Sequence, residues 1–296
     1  MTITHPARVV ISGLLMVAVC ACAATRAHAQ QNPAPAIVVA AQGQLQELVL
    51  RDGTHAFGRV EKVDGGRVTF RTEAGAILDV DVAQVVSANI ATGQIVEGAF
   101  WPADSNPTRL FFAPTGRTLK RGESYFGVYE IYISFVQFGI TDRFSIGGGT
   151  PLLFVGEISH PFWFTPKLQI ISRPNTQASI GVMHFLNVDR ETVGIAYGAV
   201  TQGSSDSALT VGLGWAYDHG KNYHSNTAVL MIGGEHRISR RVKFVTENYL
   251  INSEGMITGG FRFMGERLSA DIGLIAPLGG DVFALPMVNF VWKMGK

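Results

Sequence analysis

Residues 208–218, A-L-T-V-G-L-G-W-A-Y-D, alternate strictly between two kinds of side chain. One set of positions carries the large apolar and aromatic residues Leu209, Val211, Leu213, Trp215 and Tyr217. The positions between them carry small or polar residues. Because successive side chains of a β-strand point to opposite faces, this period of two predicts a strand with one apolar face and one small or polar face.

The same alternation recurs at residues 228–238, 257–263 and 268–276, and the second face there is small and partly charged. A soluble barrel or sandwich would place its large side chains inside and cover its outside with charge, yet charged residues are only 16% of the chain, against roughly 25% in soluble domains. A transmembrane barrel inverts that arrangement, with apolar residues towards lipid. The low charge therefore favours an antiparallel up-and-down transmembrane β-barrel; a soluble secreted β-sandwich that binds a small ligand is the alternative.

The overall composition excludes several other classes of protein. The formal net charge of +1 argues against a nucleic-acid partner. A hydrophobic content of 47% and a mean hydropathy of +0.20 exclude intrinsic disorder. After the N-terminus, no apolar run is long enough for a membrane-spanning helix. Of the aromatic residues, only Phe57 and Phe70 precede residue 100, which marks a domain boundary.

From residue 123 to residue 296, short polar turns alternate with more variable connections. This asymmetry is typical of outer-membrane barrels. We expect twelve strands, with ten as the second choice. Their starts are expected near residues 123, 134, 143, 163, 177, 193, 208, 227, 242, 256, 268 and 283.

Residues 138–149, F-G-I-T-D-R-F-S-I-G-G-G, resemble the strand–turn–strand hairpin of many bacterial outer-membrane β-barrel proteins. The whole of residues 123–296 is similar in its sequence pattern to such porin-like barrels. The resemblance implies outer-membrane lipid and the outer-membrane assembly machinery as partners. It also implies an aromatic residue at the end of the last strand. Phe290 and Trp292 suit that position, although residues 293–296 follow them.

The first 29 residues have the pattern of a secretory signal peptide: Arg8, then an apolar run, then Ala27-His28-Ala29 as a cleavage site. Both cysteines lie in this segment, and a lipoprotein acylated at Cys22 is the alternative. Residues 30–44, rich in Ala, Gln and Pro, predict a flexible linker.

Residues 45–90 predict five short strands separated by turn pairs such as Asp52-Gly53. They resemble the small SH3-like or Sm-like β-barrels of exported bacterial proteins, which would place this module in the periplasm with a possible partner there. Residues 91–122 form a connector with an apolar Phe111-Phe112 pair. This connector either threads into the barrel or packs beneath it.

Two groups of side chains are candidates for a function within the barrel. Strand parity predicts charged residues in the lumen, either as a selectivity lining or as a mutually neutralising network, and their mixed signs favour the network. These are Lys167, Glu235, Arg237, Glu247, Arg262 and Asp271. Aromatic residues near strand ends predict a girdle at the membrane interface: Trp163, Trp215, Tyr217 and Trp292.

Catalysis has little support in the sequence. Asp218, His219 and His224 form a weak metal-site candidate in one loop. A hydrolase at the barrel rim would use His219 or His236 with Asp218, Glu235 or Ser225, but no hydrolase motif accompanies them. We therefore expect no catalytic residues, no cofactor and no metal. The expected function is a structural or narrow-pore role in the outer membrane, with a rim hydrolase as an alternative.

Overall fold

The computed structural model describes residues 36–41, 43–152, 161–188, 191–218, 227–279 and 283–294. The predicted signal peptide lies outside these residues, as do His219, His224 and Ser225. The described residues form an all-β protein with a small N-terminal sheet, a two-stranded hairpin and a closed barrel. No helix among them is long and apolar enough to cross a membrane.

The N-terminal sheet has six strands in the spatial order β1-β6-β2-β3-β4-β5. Only β1, which lies within the predicted linker, pairs in parallel; the five predicted strands pair antiparallel. Gly53 in the predicted turn has a φ of 85°, the left-handed conformation that glycine favours. The strands are β1 (Ala36–Ile37), β2 (Gln46–Leu50), β3 (His55–Asp64), β4 (Arg67–Thr72), β5 (Ile77–Asp81) and β6 (Val85–Ile90).

This sheet has its own core but it does not close. Val68, Phe70 and Leu48 are fully buried, and neighbouring apolar residues pack around them. The edge strands β1 and β5 are not paired with each other, so the expectation of a closed SH3-like barrel is wrong. A hairpin of β7 (Gly93–Val96) and β8 (Ala99–Pro102) follows, and its Phe100 ring stacks on Phe57 at 4.2 Å between centroids.

Twelve antiparallel strands then form a barrel that closes between its last and first members. This confirms the predicted strand number, and each strand begins within two residues of its predicted start. It also rules out the sandwich alternative. The strands are β9 (Ser124–Tyr129), β10 (Ile133–Gly139), β11 (Phe144–Pro151), β12 (Phe162–Arg173), β13 (Thr176–Val188), β14 (Glu191–Gly203), β15 (Ser207–Asp218), β16 (Thr227–Ser239), β17 (Val242–Ile251), β18 (Glu254–Met264), β19 (Leu268–Leu278) and β20 (Leu285–Met294).

The two faces of the barrel wall differ as the period of two predicts. On β15, Leu213 is 64% exposed and Trp215 is 52% exposed on the outside, whereas Thr210 is completely buried inside. On β19, Ile272 is exposed and Asp271 is buried. The outer surface of the barrel is therefore mostly apolar, and the charged wall residues face inward.

The two ends of the barrel also differ. At one end, which we call the short-turn end, the strands are joined by two to four residues. At the other, the loop end, connections range from two to ten residues; the one between β9 and β10 has Glu130 and Ile131 in left-handed conformations. Both termini of the barrel lie at the short-turn end. The N-terminal part contacts this end through a hydrogen bond from Gln94 to Asp206.

Candidate functional site

The connector threads into the barrel rather than packing beneath it. None of residues 101–119 is exposed. Two backbone hydrogen bonds, from Leu110 N to Ala113 O and from Thr115 N to Thr108 O, fold the segment into a hairpin whose tip carries Phe111 and Phe112. We call residues 103–119 the plug. It enters the lumen from the short-turn end, turns at its tip, and returns to the same end before β9.

A carboxylate in the barrel wall holds the tip of the plug. Glu247 Oε2 accepts hydrogen bonds from the backbone N–H groups of Phe111, Phe112 and Ala113 at 2.8, 3.0 and 2.9 Å. Its other oxygen accepts a hydrogen bond from Tyr249 Oη at 2.6 Å. Three successive N–H groups around one anion form a concave anion site, and a carboxylate strengthens each bond. Glu247 is 1% exposed, so the site is shielded from bulk solvent.

Arg262 is the main cation below the tip. Its guanidinium makes a two-pronged contact with the Asp271 carboxylate at 2.7 and 3.0 Å. The same group donates to Asp104 Oδ2 in the plug at 3.1 Å, and to the carbonyl oxygens of Asn106 and Leu110. Arg262 thus links a wall carboxylate to the entering strand of the plug hairpin.

A second chain of charges joins the wall to the plug nearer the short-turn end. Lys243 Nζ lies 2.8 Å from both Asp104 Oδ2 and Glu235 Oε2. Glu235 also pairs with Arg117, on the returning strand of the plug. Because Asp104 contacts both Lys243 and Arg262, opposite charges alternate through the lumen, which is how buried charges avoid a large desolvation cost.

Two further wall cations bind carbonyl groups of the plug or of the residue before it. Lys167 Nζ donates to Thr108 O in the plug at 3.1 Å, and Arg237 Nη2 donates to Pro102 O, directly before the plug, at 2.8 Å. The plug also fits the wall closely: a Cβ atom added to Gly116 would lie 2.2 Å from Gln177 O. This contact requires glycine at position 116.

The structure places all six predicted lumen residues inside the barrel; five contact the plug or a residue bound to it, and Arg237 contacts Pro102, which directly precedes the plug. Strand parity did not identify their partners Asp104, Arg109 and Arg117. These residues belong to the connector, whose sequence lacks the alternation of apolar and polar residues that marks a strand. Lys243 shares the parity of Glu247 on β17, so the sequence did contain a signal for it.

The predicted girdle is partly wrong. Trp215 and Trp292 lie on the outer surface, each about half exposed. Tyr217 is two residues from Trp215 on β15 and so lies on the same outer face, with its Oη 2.7 Å from His184 Nδ1. Trp163 instead points into the lumen and packs against a buried aromatic cluster. It is four residues from Lys167, so a period of two places both on the same face.

The residues considered for catalysis are not brought together where the structure describes them. His236 is on the outer face, 3.1 Å from Ser207 Oγ, while Glu235 is in the lumen between Lys243 and Arg117. Asp218 ends β15, and its predicted companions in the loop lie outside the described residues. Within the described ranges, no group of three His, Cys, Asp or Glu side chains could hold a metal ion.

No family model matches this sequence, and no curated protein matches it. Among solved structures, the chain is similar to the KdgM porin in complex with disordered oligogalacturonate, with 4% identity and a TM-score of 0.46 over 58% of this chain and 98% of the porin. It is also similar to a loop L8 deletion mutant of OmpT, an outer membrane protein of Vibrio cholerae, with 11% identity and a TM-score of 0.36 over 85% of this chain and 96% of that one. The toluene transporter TbuX of Ralstonia pickettii gives 10% identity and a TM-score of 0.38 over 85% of this chain and 88% of the transporter.

Proposed function

We propose that this chain is an outer-membrane β-barrel protein with a transport role, whose lumen is closed by its own connector and opens when the connector moves. The observation that carries the proposal is the plug itself, bound along its length by inward-facing charges of the barrel wall. A barrel with a structural role alone could fill its lumen with wall side chains. Here the lumen is filled by a separate segment that enters and leaves at the same end.

The outer surface supports a membrane location. Residues along the middle of the strands, such as Leu213, Ile272 and Phe261, are large, apolar and exposed. Soluble proteins rarely expose apolar patches larger than a few hundred Å². A closed barrel leaves no unpaired strand edge, which is the condition for crossing a bilayer with strands. Twelve strands and unequal ends are typical of the outer membrane.

The same asymmetry supports an orientation. Short turns and both chain termini face the periplasm in bacterial outer-membrane barrels. In that orientation the N-terminal sheet lies in the periplasm, the compartment to which the signal peptide proposed for residues 1–29 would export the chain. The sheet continues directly into the plug through β7 and β8. We infer that a periplasmic partner binding the sheet is placed to displace the plug.

Planar-bilayer conductance tests the proposal. The purified chain is compared with a variant in which residues 103–119 are replaced by a Gly–Ser sequence of equal length. A control variant has residues 38–44 replaced in the same way, which leaves the lumen unchanged. Each protein is first checked for a folded barrel by its heat-dependent mobility on a gel.

We expect the unmodified chain and the control to conduct rarely or not at all, and the plug variant to form a steady channel. Steady conductance of the unmodified chain would show that the plug does not close the lumen. A folded plug variant without current would show that the barrel wall fills the lumen by itself. Either result would overturn the proposal.

A further inference from the structure

Two buried cations of the lumen, Arg109 on the plug and Lys167 on β12, have no carboxylate partner among the described residues. They lie close together, since Lys167 donates to the carbonyl oxygen of Thr108, the residue before Arg109. The other lumen cations each pair with an Asp or a Glu: Arg117, Arg237, Lys243 and Arg262. A buried charge is costly unless an opposite charge accompanies it. The unbalanced positive charge at Arg109 and Lys167 therefore favours an anion as ligand.

The Arg109 guanidinium is bound by neutral groups alone. Its Nε donates to Tyr125 Oη at 3.2 Å and its Nη1 donates to Phe112 O at 2.8 Å, whereas Nη2 donates to no described residue. The guanidinium carbon lies 4.3 Å from the centre of the Phe135 ring. Arg109 thus keeps a donor nitrogen for a further acceptor, and a carboxylate is the acceptor that a guanidinium binds most strongly.

A cavity of about 180 Å³ adjoins this guanidinium. It is lined by Arg109 and by Phe112 and Phe135, the two residues on either side of the guanidinium; Trp163, Met183 and Phe185 also line it. An apolar cavity of about 150 Å³ accepts a benzene molecule. This cavity is therefore large enough for one six-membered ring that carries one small substituent.

The cavity is reached from the loop end of the barrel. Ile133, which also lines it, is the first residue of β10, and Trp163 is the second residue of β12, so both lie next to loop-end connections. Both side chains are partly exposed, as is that of Phe185. A small molecule can thus enter without displacement of the plug.

We propose that this cavity binds a small aromatic monocarboxylate, of which benzoate is the simplest example. Its carboxylate pairs with the Arg109 guanidinium, and its ring packs against Phe135, Trp163 and Phe185 in the offset or edge-to-face contacts that aromatic groups favour. A neutral ring would leave Arg109 without a counter-charge. An inorganic anion would leave the aromatic part of the cavity unfilled.

The inference rests on the proposed function in one respect: Arg109 and Phe112 belong to the plug, so a molecule bound there is positioned as cargo or as a signal for plug movement. Its test is independent of transport, because binding is measured on the folded protein in detergent. Failure of binding leaves the conductance result standing, and failure of conductance leaves the binding result standing.

The experiment uses heavy-atom quenching of Trp163 fluorescence at neutral pH and low ionic strength. The chain has four tryptophans, and replacing Trp101, Trp215 and Trp292 by Phe leaves Trp163 as the reporter. The probes are 4-bromobenzoate, its neutral analogue 4-bromobenzamide, and sodium bromide. A second chain that retains only Trp215, on the outer surface, reports probe dissolved in the detergent.

Two pairs of variants in the Trp163-only chain locate the site. Arg109→Gln removes the charge at the cavity, and Arg143→Gln removes an exposed arginine charge at the short-turn end. Ile133→Phe fills part of the cavity, and Ile180→Phe makes the same change on the outer surface, where Ile180 is 48% exposed. All variants are checked for a folded barrel by gel mobility.

We expect saturable quenching of Trp163 by 4-bromobenzoate, with an affinity about tenfold or more above that of 4-bromobenzamide, as for a hydrogen bond to a charged group. Arg109→Gln should remove this preference and Ile133→Phe should abolish binding, whereas Arg143→Gln and Ile180→Phe should change neither.

Three results would overturn the proposal. Unsaturable quenching equal to that of Trp215 would mean that no site exists, and equal affinity for 4-bromobenzoate and 4-bromobenzamide would mean that the charge is not used. Saturable quenching by bromide with the affinity of 4-bromobenzoate would mean that the site takes any small anion. If Arg109→Gln or Ile133→Phe does not fold, the comparison of the three probes on the Trp163-only chain decides.

Discussion

Replacing Glu247 by Ala should release the tip of the plug while leaving the barrel wall intact. In the native chain, one carboxylate oxygen accepts hydrogen bonds from the N–H groups of Phe111, Phe112 and Ala113. Glu247→Ala removes this acceptor from all three donors. No strand pairing depends on the Glu247 side chain, so the barrel should still form.

The expected magnitude follows from these three donors. A buried donor left without its acceptor costs about 1–3 kcal/mol. Three such donors would together cost about 3–9 kcal/mol. Removal of a buried charge and entry of water into the site offset part of this, which leaves a net cost of about 3 kcal/mol. A change of 3 kcal/mol corresponds to roughly a hundredfold increase in the population of the displaced plug.

A cysteine at position 113 measures that population. Ala113 is 5% exposed, and the two natural cysteines, Cys20 and Cys22, can be replaced by Ala to give a single reporter in Ala113→Cys. The rate of maleimide labelling is then compared with and without Glu247→Ala. Glu254→Ala, which removes an exposed carboxylate at the loop end of β18, is the matched control.

We expect labelling to be about a hundred times faster with Glu247→Ala and unchanged with Glu254→Ala, while heat-dependent gel mobility shows an intact barrel in all cases. Equal labelling rates for the Glu247 and Glu254 variants would refute the reasoning, because they would mean that the carboxylate does not hold the tip. Loss of the folded barrel in the Glu247 variant alone would show that the plug is required for the wall itself.

Three further predictions concern the wall, the charge network and the N-terminal sheet. Leu213→Arg, on the outer face near the middle of β15, should lower the free energy of unfolding in lipid vesicles by about 2–4 kcal/mol. The control Ile77→Arg, on the exposed surface of the N-terminal sheet, should change it by less than about 0.5 kcal/mol. Equal effects of the two variants would argue against a lipid-facing barrel. Asp104→Asn removes the carboxylate that the buried cations Lys243 and Arg262 share, and it should lower the free energy of unfolding in urea by about 3 kcal/mol. Asp79→Asn, in an exposed ion pair, should lower it by at most about 1 kcal/mol. A chain lacking residues 36–90 should still give a heat-modifiable barrel, since the N-terminal sheet has a separate core; failure of that barrel to form would mean that the sheet is needed for assembly.

The sequence was most informative where a local rule governs the structure. Side chains of a strand alternate between two faces, so the residues of β15 and β19 determine which positions face outward and which face the lumen. The same rule shows why the girdle prediction is wrong for Trp163: it lies four residues from Lys167 on one strand, so both side chains face the lumen. The correct inward placement of Trp163 could have been read from the sequence.

The N-terminal sheet shows where local rules end. Its five predicted strands and the Asp52-Gly53 turn were correct. Whether five strands curl far enough for the edges to meet depends on the twist and tilt of the whole sheet, which alternation and turn residues do not specify. The strands were therefore predictable, and the open edge between β1 and β5 was not.

By itself, the sequence determined the twelve strands, their faces and the presence of charged residues in the lumen, because each of these follows from side chains a few positions apart. Only the tertiary structure decided what those charges do. Glu247 and the plug tip are about 135 residues apart in sequence, as are Lys243 and Asp104, and the connector has no period that would reveal its partners. Burying opposite charges together is favourable only when distant segments meet in the correct geometry, so the contact between plug and wall is a property of the folded barrel.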